Sequence, residues 1–357
     1  MKRNTIITLA AIIGIIGTIA FLEAQFGPPS ITDTGPAAIL TDDVKLAEKA
    51  ARFSPGVDFV NPSGFINSEP FTLKDVVGKK VILIDFWTYS CINCIRTQPY
   101  LNAWHKQYED DGLLIIGVHT PEFDFERDIA NVRAAVDREE ILYPVVLDND
   151  YATWRAYGNR YWPRKYLIDI DGFIVYNHIG EGSYEETEEA IRSALEERRK
   201  RLGLAALSQS MVEVTPELTT NFNRSRTPEL YYGTGFDRGQ CGNCDGQLRE
   251  GVRVYTIPVK RTPNSFYFAG TWNTTKDYSA AMSNAQVILD YTAKDVYAVL
   301  GTENTGTVRV YRDGVFEREI VIEAQTLYTL VQGETYSSHE LRIELSPGVQ
   351  LYTYTFG

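Results

Sequence analysis

The hydrophobic pattern changes part-way along the chain. Between residues 81 and 202, short apolar runs alternate with longer segments in which apolar residues recur every three or four positions. Short runs predict buried strands, the longer spacing predicts amphipathic helices, and their alternation is typical of an α/β fold. After residue 229 the apolar residues fall at every second position, which predicts strands. The pattern therefore predicts an α/β domain followed by an all-β domain.

The first domain is predicted to be built around a central strand at Val81–Ile84. Its other elements, in chain order, are a hairpin at Phe59–Asn67, a helix at Cys94–Tyr108, a strand at Leu113–Val118, a helix at Phe125–Arg138, a strand at Tyr143–Leu147, a helix at Tyr151–Tyr157, strands at Arg164–Ile170 and Phe173–Ile179, and a helix at Tyr184–Leu202. Asp171 and Gly172 are a hairpin turn signal between the last two strands.

The second domain shows clear period-two alternation in four segments. These are Thr307–Tyr311, Glu319–Ile322, Leu341–Leu345 and Gln350–Phe356. Short strands with turn residues between them indicate a β-sandwich. Because periodicity is lost ahead of this domain, residues 204–228 are predicted to be a linker between domains at 49–203 and 229–357.

The N-terminus resembles neither domain in composition. Lys2 and Arg3 precede an uncharged run from Thr5 to Leu22. Two basic residues before such a run predict that the rest of the chain lies outside the cytoplasm. A run of about eighteen residues can just span a bilayer, and Leu22–Ala24 is a poor cleavage site. Residues 1–24 are therefore predicted to be a signal anchor, with a removed signal peptide as the alternative, and residues 25–48 a linker.

Cys91 and Cys94 lie where the central strand gives way to a helix. At a helix start, unpaired N–H groups and the helix dipole lower a thiol pKa from about 8.5 to roughly 3.5–7.5. Because thiolate is the form that attacks a disulfide, Cys91 is the expected nucleophile. Cys94, one helical turn on, is expected to attack the resulting mixed disulfide and release the partner. The pair predicts a thiol:disulfide oxidoreductase.

Metal binding and structural crosslinking are the alternative uses of these cysteines. A structural zinc site needs four ligands, and the four histidines contain no close pair, so such a site would require Cys241 and Cys244 to meet the first pair. A structural Cys91–Cys94 disulfide would close only a short loop and add little stability. No metal and no cofactor is predicted. Cys241 and Cys244, in a glycine-rich loop, are predicted to form a local disulfide, with a redox relay as the alternative.

The run IDFWTYSCINCIRTQP resembles the active-site segment of the thioredoxin superfamily, with Asp85 and Trp87 ahead of the cysteines and Pro99 after them. The resemblance implies a thioredoxin fold, a central mixed sheet flanked by helices. It also implies that Asp85, whose pKa burial would raise, exchanges protons with Cys94. Ile92 and Asn93 differ from the Gly-Pro of thioredoxins and leave the direction of electron flow open.

A second segment supports the same resemblance. Tyr157–Pro163 is similar to the superfamily segment whose last residue is a cis-proline packed against the redox pair. Trp162 and Pro163, together with Trp87, are therefore predicted to contact the client polypeptide. His119 and Glu122, at the end of a predicted strand, are further candidates for the same face because parallel strands present active sites at that edge.

The remaining resemblance concerns the domain order. The N-terminal extension resembles the TlpA-like branch, and the segments RTPELYYG, FAGTWN, TAKDVYAVLG and SPGVQLYTYTFG resemble the C-terminal half of DipZ-type proteins. There a thioredoxin domain precedes a β-sandwich like a carbohydrate-binding module, with a jelly-roll-like topology. The resemblance implies protein disulfides as clients, cytochrome c maturation as one setting, and a membrane electron donor of the CcdA/DsbD type.

Charge and the second domain limit the alternatives. The net charge of −12 argues against nucleic acid and anionic membrane surfaces as partners. A disulfide-forming oxidase is the alternative within enzymes. The alternative outside enzymes is a cell-surface protein whose sandwich binds glycans or proteins, in which Trp272 could stack on a sugar ring.

Overall fold

The computed structural model describes residues 42–207, 210–215, 218 and 227–357. The predicted leader at 1–24 and residues 25–41 of the predicted linker lie outside these residues. No helix in the described part of the chain has the length and apolar character that a bilayer crossing requires. Residues Lys49–Gly357 form one compact unit that contains two sheets.

The first sheet has six strands in the order β1-β4-β3-β2-β5-β6. Strands β2, β3 and β4 are parallel, whereas β1, β5 and β6 pair antiparallel with their neighbours. The elements are α1 Asp42–Arg52, β1 Gly64–Ile66, α2 Leu73–Val76, β2 Val81–Trp87, α3 Ile92–Tyr108, β3 Leu113–His119, α4 Ile129–Arg138, β4 Val145–Leu147, α5 Ala152–Ala156, β5 Arg164–Ile168, β6 Ile174–Ile179 and α6 Tyr184–Leu202. This is the α/β order that the pattern predicts, with the mixed sheet that the resemblance implies.

Strand β2 lies at the centre of this sheet, and all of its residues are buried. Alternate residues of a strand face opposite sides of the sheet. Leu83 packs in the hydrophobic cluster that contains Cys94, and Ile84 packs in the cluster on the other face. The same alternation puts Asp85 on the face that carries Cys94.

Three predicted elements in this part differ from the structure. No hairpin forms at Phe59–Asn67, because its strand β1 pairs with β4 at the sheet edge instead of with a neighbouring segment. The helix predicted from Phe125 begins at Ile129, since Asp128 caps it by accepting a hydrogen bond from the Ala130 N–H (2.8 Å). The last residues of the predicted linker, from Asp42, belong to α1.

Lys49 joins α1 to the β5–β6 turn and to α6. Its Nζ lies 2.6 Å from Asp169, 2.7 Å from Asp171 and 2.5 Å from Glu197. In the described residues, these three carboxylates are the group spaced as metal ligands, and the lysine ammonium lies within hydrogen-bond distance of all three. Because Asp169 is fully buried, Lys49 supplies the positive charge without which that carboxylate would be strongly unfavourable.

The second sheet is antiparallel, with the order β12-β11-β13-β10-β14-β7 and with β9 and β8 continuing from β10. Its strands are β7 Leu230–Tyr231, β8 Gly251–Tyr255, β9 Phe266–Thr274, β10 Ser279–Gly301, β11 Gly306–Arg312, β12 Val315–Ile322, β13 Thr326–Leu345 and β14 Gln350–Phe356. Leu351 pairs with both Ser279 and Leu300, so the two ends of β10 meet at β14. The sheet folds back on itself around one core.

Trp272 lies inside that core. Its side chain is 0% exposed, its Nε1–H donates to the Ala269 carbonyl at 2.8 Å, and its ring lies 4.6 Å from that of Phe268. The expectation that Trp272 could stack on a sugar ring is therefore wrong, because its surface is used in packing.

Candidate redox site

The two cysteines of the first pair differ in exposure. Cys91 is the N-cap of α3, directly after the loop that follows β2, and its carbonyl accepts hydrogen bonds from the N–H groups of Cys94 and Ile95, both at 3.0 Å. Both thiols are free. Cys91 is partly exposed and Cys94 is buried. A client can thus reach Cys91, while Cys94 is confined to attack within the protein.

Asp85 and Lys165 are buried charged residues close to Cys94. They are direct partners across β2 and β5, and both are buried. Burial raises the pKa of Asp85 to about 7, against the opposing charge of Lys165. Burial also raises the pKa of the Cys94 thiol well above its usual value, and the neighbouring Cys91 and Asp85 add to this. Cys94 therefore needs a base, and Asp85 is the adjacent group that titrates near neutrality.

Trp162 and Trp87, both predicted to contact the client, differ in exposure. The Trp162–Pro163 peptide bond is cis, and the half-buried Trp162 is fixed by an Nε1–H bond to the Thr120 carbonyl (3.0 Å). Trp87 is only 3% exposed and packs edge-on against His119, with ring centroids 5.1 Å apart. The structure therefore does not bring Trp87 to the surface with Trp162.

Both parts of the chain match families of known proteins. A family model described as Redoxin matches residues 58–195, and one described as Thioredoxin like C-terminal domain matches residues 227–357. Thiol-disulfide oxidoreductase ResA of Bacillus thuringiensis is 32% identical over 123 residues, which are 34% of this chain and 68% of ResA. The chain belongs to the thioredoxin-like thiol-disulfide oxidoreductases.

Protein DipZ of Mycobacterium tuberculosis matches both parts of this oxidoreductase. The two are 40% identical over 306 residues, which are 84% of this chain and 42% of DipZ. The chain thus spans less than half the length of that relative. Among solved structures, a thioredoxin-like protein in its oxidised form matches with a TM-score of 0.38 and 26% identity, over 41% of this chain and 97% of that one. The two family models and the match with DipZ confirm the predicted thioredoxin fold followed by an all-β domain of the DipZ type.

The β-sandwich of the oxidoreductase packs against the first sheet at the end of its strands where the redox pair lies. Phe123 and Phe125, in the segment after β3, have ring centroids 5.1 and 4.9 Å from that of Tyr352 in β14. The Tyr89 hydroxyl donates to the Gln325 carbonyl at 3.4 Å. All four aromatic side chains are buried, so the contact covers the flank of the loop that leads to Cys91.

Arg96 extends this contact to the chain that follows Cys91. Its guanidinium makes two hydrogen bonds to Glu181, at 2.7 and 2.8 Å, and lies beside Tyr297 and Gly357 of the sandwich. Arg96 is 3% exposed. The sandwich therefore contacts the first part on both sides of the nucleophile, at Tyr89 and at Arg96.

His119 lies against the loop that leads to Cys91, and Glu122 lies against the sandwich. Burial lowers the pKa of His119 to about 3, so the imidazole is neutral, and its ring stacks on that of Tyr89 at 5.7 Å. Glu122 accepts a hydrogen bond from the Tyr231 hydroxyl of the sandwich at 2.9 Å. Burial and the nearby Glu229 raise the pKa of Glu122 to about 8. These residues belong to the core and to the contact with the sandwich.

Glu126 is a site residue that sequence reasoning missed. Its side chain is 0% exposed and accepts hydrogen bonds from the Ser90 hydroxyl (2.6 Å) and from the N–H groups of Glu122 (2.6 Å) and Phe123 (2.9 Å). Ser90 immediately precedes Cys91 and is 36 positions from Glu126. No local pattern reveals a contact at that separation. Glu126 holds the redox loop to the segment that packs on the sandwich.

Replacing Glu126 with alanine is expected to lower the free energy of unfolding by about 2–3 kcal/mol, because buried donors lose a shared acceptor. Glu126→Gln keeps the volume but turns an amide toward N–H donors, so the Ser90 loop should loosen and the rate at which iodoacetamide alkylates Cys91 should change. Glu69→Ala, at an exposed acid, is the control. An unchanged alkylation rate in Glu126→Gln would contradict the positioning role.

Cys241 and Cys244 form a disulfide. Both pack in the sandwich core near Phe266, whereas Cys91 and Cys94 belong to the cluster of the first sheet. The structure therefore does not bring the two pairs together, and the all-cysteine metal site considered from the sequence does not form.

Proposed function

We propose that this oxidoreductase works outside the cytoplasm, attached to a membrane by residues 1–24, and that it reduces disulfides in client proteins. The observation that carries the proposal is the asymmetry of the redox pair. Cys91 is partly exposed, while Cys94 is buried beside Asp85 and Lys165. In such a pair one thiol can react with clients, while the other completes the exchange within the protein.

The exchange takes two steps. Thiolate at Cys91 attacks a client disulfide, forms a Cys91–client disulfide and expels the second client sulfur as a thiolate. Cys94 then loses its proton to Asp85 and attacks Cys91 Sγ, so that the first client sulfur leaves as a thiolate. Two electrons pass from the pair to the client, and Cys91–Cys94 becomes the disulfide. Pro163 and the backbone of Trp162 are proposed to hold the client beside Cys91.

Two observations support action outside the cytoplasm. Lys2 and Arg3 precede the uncharged run of the leader, which is the arrangement of an export signal. The Cys241–Cys244 disulfide is of a kind that persists in oxidising compartments.

The reductant role is proposed from the resemblance to the TlpA-like branch and to DipZ-type proteins, related proteins of which keep client cysteines reduced. A disulfide-forming oxidase is the alternative. Regeneration of the dithiol is proposed to come from a membrane electron donor of the CcdA/DsbD type, with the haem-attachment cysteines of cytochromes c as one class of client. Glycan binding by the sandwich stays a prediction for which the described residues give no support.

A trap in the native host tests this function. Cys94→Ser leaves Cys91 able to attack but removes the thiol that releases the client, so clients should accumulate as mixed disulfides. Cys91→Ser is the matched control and should trap none. Apocytochromes in the trap would support the reductant role, a broad set of secreted proteins would indicate an oxidase, and an empty trap would contradict both.

A further inference from the structure

In the part of the chain that the structure describes, one segment of β13 has a strand partner on one side only, and the residue before it contacts the redox loop. The first part of β13, Thr326–Gln332, pairs on one side with Asp295–Leu300 of β10. Strand β11 pairs with β13 further along, at Leu341–Leu345. In the described residues no strand pairs with the other side of Thr326–Gln332. Backbone N–H and C=O groups on that side are left for another partner.

The composition of this edge offers no protection against pairing. Thr326–Gln332 reads TLYTLVQ, with β-branched and aromatic residues and neither charge nor proline. The other long sandwich edge, β12, contains Glu317, Arg318 and Glu319, and the edge strand β8 contains Arg253. Natural proteins block exposed edges with charges, proline or bulges. The edge of β13 carries only a register shift, next to Leu330, which leaves Thr326–Thr329 straight.

The contacts of this segment place it near the residues that flank the nucleophile in the chain. Gln325, which leads into it, accepts the hydrogen bond from Tyr89, two residues before Cys91. Leu327 packs against the cluster that contains Cys94. Thr329 pairs with Tyr297, which lies beside Arg96.

We propose that the Thr326–Thr329 edge binds an extended segment of the client polypeptide as an added strand and thereby presents the client cysteine to Cys91. The proposal rests on the proposed function and adds the class of client, which is a polypeptide not yet folded around its cysteine. A folded protein has paired its own backbone groups, while an unfolded segment still has them free. The edge is continuous with the contact of the sandwich on the redox loop at Gln325 and Tyr89.

N-methylated peptides test the proposal on the unaltered protein. The substrate is a twelve-residue peptide of alternating threonine and valine around one cysteine, which is joined in a disulfide to glutathione. Two further forms carry N-methyl groups on alternate residues, on one edge or on the other, all at least three residues from the cysteine. Strand addition uses one edge only. One form should therefore lose at least tenfold in kcat/KM, and the other should stay within twofold of the parent.

A pair of proline variants gives a second test of the proposal. Thr329→Pro removes an N–H group and obstructs this edge, while Val321→Pro makes the same change on β12, where the side chain is exposed. The ratio of peptide turnover to glutathione-disulfide turnover should fall at least tenfold in Thr329→Pro and stay unchanged in Val321→Pro. The peptide comparison does not depend on whether either variant folds.

The outcomes separate the two proposals. Equal turnover of both methylated forms and the parent would overturn strand addition and leave the oxidoreductase function intact. Equal loss for both methylated forms would also overturn it, since a single strand edge cannot depend on both sets of N–H groups. Absence of turnover of the parent peptide and of glutathione disulfide would overturn the proposed function itself.

Discussion

Cys91→Ser is expected to lower turnover of insulin disulfides by about a thousandfold or more, because the first bond of the exchange can no longer form. Cys94→Ser is expected to block turnover at a different point. Its Cys91 remains partly exposed at the start of α3, so a mixed disulfide forms at a normal rate and is released slowly. Mass spectrometry of the purified protein should show the attached client in Cys94→Ser and none in Cys91→Ser.

The second cysteine pair supplies the control. Replacing Cys241 and Cys244 with serine removes a disulfide in the sandwich core and should lower the melting temperature. Turnover per folded molecule should stay within about twofold, because these residues lie in a separate cluster from the redox pair. A large loss of turnover at a temperature where this variant is folded would instead indicate a relay between the pairs.

Asp85→Asn is expected to slow release of the mixed disulfide by about a hundredfold at pH 8, the size of effect that a general base supplies. In the native protein the release rate should rise as pH rises through about 7, because the pKa of Asp85 is raised by burial to about 7 and only its ionised form accepts the Cys94 proton. In Asp85→Asn that rise should move to more alkaline pH, since the pKa of Cys94 is itself raised. Stopped-flow release of a fluorescent peptide measures this rate.

Lys165→Met provides a partner variant that keeps the Asp85 carboxyl and changes only its electrostatic surroundings. The positive charge of Lys165 lowers the pKa of Asp85, so its removal should move the inflexion to higher pH without abolishing it. Release would then be slower at pH 7 and nearly normal at pH 9. A pH profile that is the same in the native protein and in both variants would contradict the role of Asp85.

Local patterns explain why the redox pair could be located from the sequence. The strand of buried residues before Cys91 and the helix after it are neighbours in the chain, so periodicity alone places the thiols at a helix start. The cis bond before Pro163 came from the resemblance. The residues that hold the redox loop in place could not be located from local patterns. Glu126 contacts Ser90 across 36 positions, and no periodic pattern marks it.

In the sandwich, too, local patterns located only some of the strands. Alternation located β14 and parts of β11, β12 and β13, but β7, β8, β9, β10 and the first part of β13 were missed. Register shifts between Ala293 and Asp295 and next to Leu330 interrupt the period of two where these strands bend. The aromatic contact at Phe125 was missed because that residue was assigned to a helix, whereas the cap at Asp128 leaves it free to pack on Tyr352.

The position of β14 has a consequence for the order in which the molecule is completed. Residues Gln350–Phe356 follow every other described element, yet Leu351 joins the two ends of β10 and Tyr352 covers Phe123 and Phe125. Chains fold from the N-terminus as they emerge, so the thioredoxin part can assemble while this aromatic flank is still bare. A newly synthesised molecule is therefore expected to pass through an interval in which its redox loop is formed but not yet covered, and that interval closes when β14 pairs.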